Sequence, residues 1–129
     1  MFEINWETHT AAQIHNQSRA LSDLSKLYSF WKHTREMVKF EGFVSIDSSL
    51  QSILDMKFPK YLPGQVATVK IKGKKRRELY IKCKEGWISF ERFYYSRKKP
   101  MDASDFYSGF ISTKKNSVPQ FVSKHEIKS

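Results

Sequence analysis

Val66-Ala67-Thr68-Val69-Lys70-Ile71-Lys72-Gly73-Lys74-Lys75-Arg76-Arg77-Glu78-Leu79-Tyr80-Ile81-Lys82-Cys83-Lys84 is the stretch whose reading decides the fold. Ala67, Val69 and Ile71 alternate with Thr68, Lys70 and Lys72. Leu79, Ile81 and Cys83 alternate with Tyr80, Lys82 and Lys84. A period of two with one apolar face is the pattern of a half-buried antiparallel strand. Gly73-Lys74-Lys75-Arg76-Arg77 joins the two as a basic hairpin loop. The alternation predicts Ala67, Val69, Ile71, Leu79, Ile81 and Cys83 facing a core. Lys70, Lys72, Lys82, Lys84 and Tyr80 are then expected together on one outward face, continued by Lys74, Lys75, Arg76 and Arg77.

Working outward, Glu85-Gly86 predicts a tight turn into a third strand, Trp87-Ile88-Ser89-Phe90-Glu91-Arg92-Phe93-Tyr94-Tyr95, apolar on both faces and so open in register. Upstream, Pro63-Gly64 is a turn pair. Residues 47–62 have no clean period and are expected to form a long loop. Leu27–Trp31 and Met37–Ile46 read as strands, the second with Gly42 as a bulge. Thr10-Ala11-Ala12-Gln13 is a capping box ahead of a helix over residues 11–21, with Ala11, Ile14, Ser18 and Leu21 on its stripe. Asp102 is the expected N-cap of a second helix carrying Phe106 and Phe110, with Gly109 as its terminator. The whole is mainly β with short helices: a small OB-like antiparallel barrel with an N-terminal and a C-terminal helix over residues 1–112. Residues 113–129 are expected to be a polar, flexible tail.

Composition bounds the function. The chain has 129 residues, 23 Lys+Arg against 13 Asp+Glu, and 15% aromatics. That aromatic content is unlike a disordered segment, and one cysteine cannot build a disulfide framework or a Cys-rich zinc site. No run approaches the length of a membrane helix, so no membrane is expected as a partner. The N-terminal residues show neither a secretory signal nor a mitochondrial presequence. Residues 70–99 hold 12 basic and 3 acidic side chains, nearly all of the net +10. A field so localised draws a polyanion to one face. Basic side chains with a tyrosine among them suit RNA: cations neutralise phosphates and an aromatic ring stacks on a base. The same charges could instead guard a sheet edge from aggregation.

Catalytic chemistry is not legible. His9, His15, His33 and His125 have no metal-ligand spacing, so no metal is expected. Cys83 falls on an inward strand face, as an inert thiol does. No nucleophile–base arrangement, P-loop or dinucleotide fingerprint is present, so no catalytic residue is assigned in this chain.

Several motifs resemble the C-terminal domain of methionyl-tRNA formyltransferase in that family's order. Ile4-Asn5-Trp6 precedes Ala11-Ala12-Gln13-Ile14 and Arg19-Ala20-Leu21. Pro63-Gly64 precedes a strand, and Gly86-Trp87-Ile88 starts another. Lys98-Lys99 leads to Ala103-Ser104-Asp105-Phe106-Tyr107-Ser108-Gly109-Phe110. The likeness spans residues 4–111, and the closing helix with Gly-Trp-Ile looks most like animal mitochondrial members. It implies an OB-like barrel that binds initiator methionyl-tRNA in translation initiation, in a mitochondrion, as a monomer. In the full enzyme a preceding domain holds 10-formyltetrahydrofolate and transfers its formyl group. That domain's catalytic Asn, His and Asp and its Ser-Leu-Leu-Pro loop have no counterpart here, so no cofactor is expected on this chain. The basic stretch 73–77 is longer than the family's. Two other readings are a stand-alone OB-like RNA-binding module and a structural C-terminal domain of another folate-dependent formyl enzyme.

Overall fold

The computed structural model describes residues 2–20, 27–44, 46–70, 77–95, 99–111 and 119–123. In chain order these form β1 (Phe2–Glu3), α1 (Ala11–Ala20), β2 (Leu27–Trp31), β3 (Met37–Val44), α2 (Ser48–Lys57), β4 (Val66–Lys70), β5 (Arg77–Lys82), β6 (Trp87–Tyr95), α3 (Ala103–Phe106) and β7 (Phe121–Val122). α3 runs on as a π-helical turn, Tyr107–Ile111.

The strands make one curled sheet in the order β1-β2-β3-β6-β5-β4, with β7 also on β2. All described pairings are antiparallel except β1 with β2. β4, β5 and β6 follow one another as hairpins, while β3 reaches β4 through α2 and lies beside β6, a Greek-key arrangement. The segment 119–122 closes the barrel. β7 pairs with Phe30 and Trp31 on one side. On the other, the Val66 amide donates to the Pro119 carbonyl at 2.9 Å and the Phe121 amide to Gly64 at 2.8 Å. Gly64 has φ +89, and a Cβ there would stand 2.2 Å from the Phe121 carbonyl oxygen, so this seam requires glycine.

The barrel interior is aromatic. Trp31, Phe40, Phe93, Phe106 and Phe121 are almost wholly buried. Phe106 meets Trp31 and Phe93 at 5.1 Å between ring centres, and Phe110 packs on Tyr95 at 4.4 Å. The Trp6 indole N–H donates to Ser29 Oγ at 2.9 Å, and that hydroxyl donates to the Val122 carbonyl at 3.0 Å. One buried relay thus ties the N-terminal segment, β2 and β7 together. A smaller cluster, Leu54, Ala67, Tyr80 and Trp87, lies outside the barrel beneath α2.

The mainly-β, OB-like fold is as the sequence predicts, and so are both helix caps. Gln13 N donates to Thr10 Oγ1 at 3.2 Å and Thr10 N to Gln13 Oε1 at 2.9 Å. Asp105 N donates to Asp102 at 2.8 Å. Other expectations need correction. Residues 48–57 are a helix rather than loop, capped by Asp47, which accepts from Leu50 N at 2.8 Å. Gly42 is not a bulge: Glu41↔Arg92 and Phe43↔Phe90 keep one register across it. Its φ is +73, and Phe40 and Phe43 on either side of it both meet Phe90. Gly109 does not end the last helix, which continues to Ile111. Within the stretch expected as a flexible tail, Phe121, Val122 and Ser123 are buried, because the seam between β2 and β4 needs a strand to fill it.

Candidate nucleic-acid interface

The β4–β5 hairpin carries the sequence-predicted site, and its register changes that site. Val66 pairs with Ile81, Thr68 with Leu79, and Ala67 with Tyr80. Partners across an antiparallel ladder share a face. Ala67 therefore lies with Tyr80 and Lys82, not with Leu79 and Ile81 as the two alternations suggest. Leu79, Ile81 and Cys83 face the barrel core, whereas Ala67 and Tyr80 face α2. Among the described residues, both faces of this hairpin are covered.

Tyr80 is consequently not an exposed stacking group. It is 4% exposed, packed with Leu54, Ala67 and Trp87. Its hydroxyl donates to the Glu78 carboxylate. Burial first, then the Glu78 hydrogen bond and charge, push its ionisation far above the usual phenol range. Lys82 is likewise engaged. Its side chain is 20% exposed, its ammonium lies 3.8 Å from Asp55 and sits over the Trp87 ring at 5.5 Å from the centroid. Lys84 is exposed, on the turn whose backbone bonds His9 and Ala11: Lys84 N donates to His9 O and Ala11 N to Glu85 O.

Lys70 and Arg77 form the last described backbone pair of the hairpin. Lys72, Lys74, Lys75 and Arg76 fall between them and lie outside the described residues. Of the nine residues read from sequence, the structure draws Tyr80 and Lys82 into packing under α2. It leaves Lys84 exposed, and sets Lys70 and Arg77 at the base of the basic loop.

Sequence reasoning missed what α2 contributes. The Gln51 amide clamps the Trp87 backbone, and Asp55 Oδ1 accepts the Trp87 indole proton at 3.0 Å. The signal was present as Leu50 and Leu54 four apart behind an aspartate, a short one-sided stripe. Cys83 is fully buried, and burial pushes its thiol up to about 12, Lys82 opposing only in part. Among the described residues no three His, Cys, Asp or Glu come together as a metal site. Among them, too, no helix is long and apolar enough to cross a membrane.

Residues 1–111 match the family model for the formyl transferase, C-terminal domain. No curated protein gives a significant match. The matched region holds β1 through the π-helical turn, the whole barrel apart from its closing segment. With the curled sheet, the covered hairpin and this match together, the chain belongs to the formyl transferase C-terminal domain family.

Proposed function

We propose that this domain binds initiator methionyl-tRNA as the C-terminal part of a methionyl-tRNA formyltransferase, gripping RNA phosphates mainly through the basic loop between Lys70 and Arg77. The observation that carries the reading is a conjunction. Residues 70–99 hold nearly all the excess charge, yet both faces of the described part of the hairpin are covered. Four of those cations, Lys72, Lys74, Lys75 and Arg76, fall in the stretch between the two strands, and Lys84 is exposed on the next turn. They form a site for phosphate oxygens through counterion release. Phosphate contacts position the ligand without reading sequence, so discrimination of the initiator falls to other parts of the enzyme.

In this proposal 10-formyltetrahydrofolate belongs to a separate folate-binding domain of the same enzyme. The mitochondrial setting rests on the likeness of Gly86-Trp87-Ile88 and the closing helix alone.

The test is filter binding of initiator tRNA to the full chain over a series of salt concentrations. The expected result is binding whose logarithm falls linearly with the logarithm of salt, with a slope of several units. No affinity for tRNA at low salt would overturn the proposal. It would favour a structural role in another folate-dependent formyl enzyme.

A further inference from the structure

A second surface of the barrel carries side chains that the basic hairpin leaves unused. On β2 the burial alternates: Leu27, Ser29 and Trp31 point inward, Tyr28 and Phe30 outward. On β3, Val38 and Phe40 are buried while Met37, Lys39 and Glu41 are partly exposed. On β6, Phe93 and Tyr95 are buried while Tyr94 is partly exposed and Arg92 exposed. The ladders align these outward positions. Tyr28 pairs with Lys39, and Lys39 pairs with Tyr94, so Tyr28, Lys39 and Tyr94 form one row across three strands. Phe30 stands opposite Met37 one step along, and its ring meets Tyr28 edge-on at 6.0 Å.

We propose that this outer face of β2, β3 and β6 is a stacking platform for an unpaired stretch of RNA, with Tyr28 and Tyr94 receiving bases and Lys39 the phosphate between them. Two tyrosines flanking a lysine, with strands about 4.8 Å apart, place two aromatic surfaces about 10 Å from each other across a cation. Base stacking on aromatic side chains tolerates any base, whereas bases inside a duplex are not available to it. The ligand is therefore single-stranded.

Charge within the row favours RNA: Lys39 stands between the two tyrosines, where a phosphate joining two stacked bases would lie. Glu41, the acid within the face, is bonded to Arg92 at 2.8 Å. Glu3, opposite Tyr28 on β1, bounds the row with negative charge. The phosphates then run toward the Lys39 and Tyr94 side. This inference rests on the RNA-binding reading above but uses a different surface, remote in sequence from the basic loop.

The experiment is fluorescence anisotropy of the full chain with a short labelled oligouridylate and with a blunt RNA duplex. It compares wild type with Tyr28→Ala, Tyr94→Ala, Tyr28→Phe, Tyr94→Phe and Lys39→Gln. Thermal melting of each variant checks folding. Each alanine variant is expected to weaken oligouridylate binding by about 5-fold to 100-fold. The phenylalanine variants, which keep the stacking ring, should bind nearly as wild type does. Duplex binding should stay unchanged throughout. Oligouridylate binding that is indifferent to both folded alanine variants would overturn the platform. A change in sedimentation with no change in RNA binding would overturn it too, in favour of a protein contact. Neither result touches the tRNA reading, which stands or falls on initiator tRNA binding by wild type.

Discussion

Gln51 pairs with the backbone of Trp87 as a neighbouring strand would. Its Nε2 donates to the Trp87 carbonyl at 2.8 Å, and its Oε1 accepts from the Trp87 amide at 2.7 Å. This side-chain bridge joins α2 to the start of β6, and the Trp87 indole bond to Asp55 completes it. Gln51→Ala leaves both backbone groups without these partners beneath a helix. The expected loss is about 1–3 kcal/mol in urea unfolding. Gln51→Glu keeps the acceptor but not the donor and should fall between the two. A midpoint unchanged in Gln51→Ala would show that this bridge adds nothing to the docking of α2.

Phe121 lies beyond the matched family region yet contacts Trp6, Trp31, Phe40 and Phe106. Phe121→Ala should cost about 3–5 kcal/mol, the range for a large aromatic truncated in a core. Gly64→Ala at the same seam should destabilise as well, because its Cβ would meet backbone rather than a movable side chain. Thermal melting of the two variants checks the seam. Near-wild-type melting of both would mean that the barrel is closed without residues 119–123.

How much of this was legible follows from range. The Thr10–Gln13 and Asp102–Asp105 caps are local devices, and the sequence shows them in full. The strands 66–70 and 77–82 are legible from alternation. Which faces they share is not, because loop geometry sets the register and a shift of one residue exchanges the faces. Tyr80 sits between Ile81 and Leu79 and two residues from Lys82, a pattern that reads as solvent-facing. Only the presence of α2 shows that this face is a second core. Lys82 misleads for a related reason: its aliphatic stem lies along Trp87 while its ammonium reaches Asp55. The helix over 48–57 was obscured because Leu54 is its one buried residue, and Ile53 and Met56 are exposed. The closing strand is illegible in principle, since Phe121 finds its partners far away along the chain.

Cys83 links stability to alkaline pH. Its thiol is raised from 9.0 to about 12 by burial, so the native state keeps a proton that the unfolded chain loses. Stability from this group is whole below about pH 9 and declines as pH rises from about 9 toward 12, by about 1.4 kcal/mol per unit. Tyr80, raised in the same direction, steepens the fall at the upper end. Urea unfolding of wild type and Cys83→Ala across this range measures the difference. Equal slopes would show the thiol titrating alike in both states. At neutral pH a thiol reagent should react with Cys83 only as fast as the protein opens.

In the proposal above, the residues between Lys70 and Arg77, not the covered faces of the strands, hold RNA phosphate. The most direct measurement is the salt dependence of initiator tRNA binding by the triple variant Lys74→Ala, Lys75→Ala, Arg76→Ala, set against Lys82→Gln. The account predicts that the triple variant loses about two to three units of slope and binds all tRNAs more weakly to a similar degree. Lys82→Gln should keep the wild-type slope while melting earlier, because it loses its Asp55 and Trp87 contacts. A wild-type slope in the triple variant, or a slope lost in Lys82→Gln with folding intact, would contradict it.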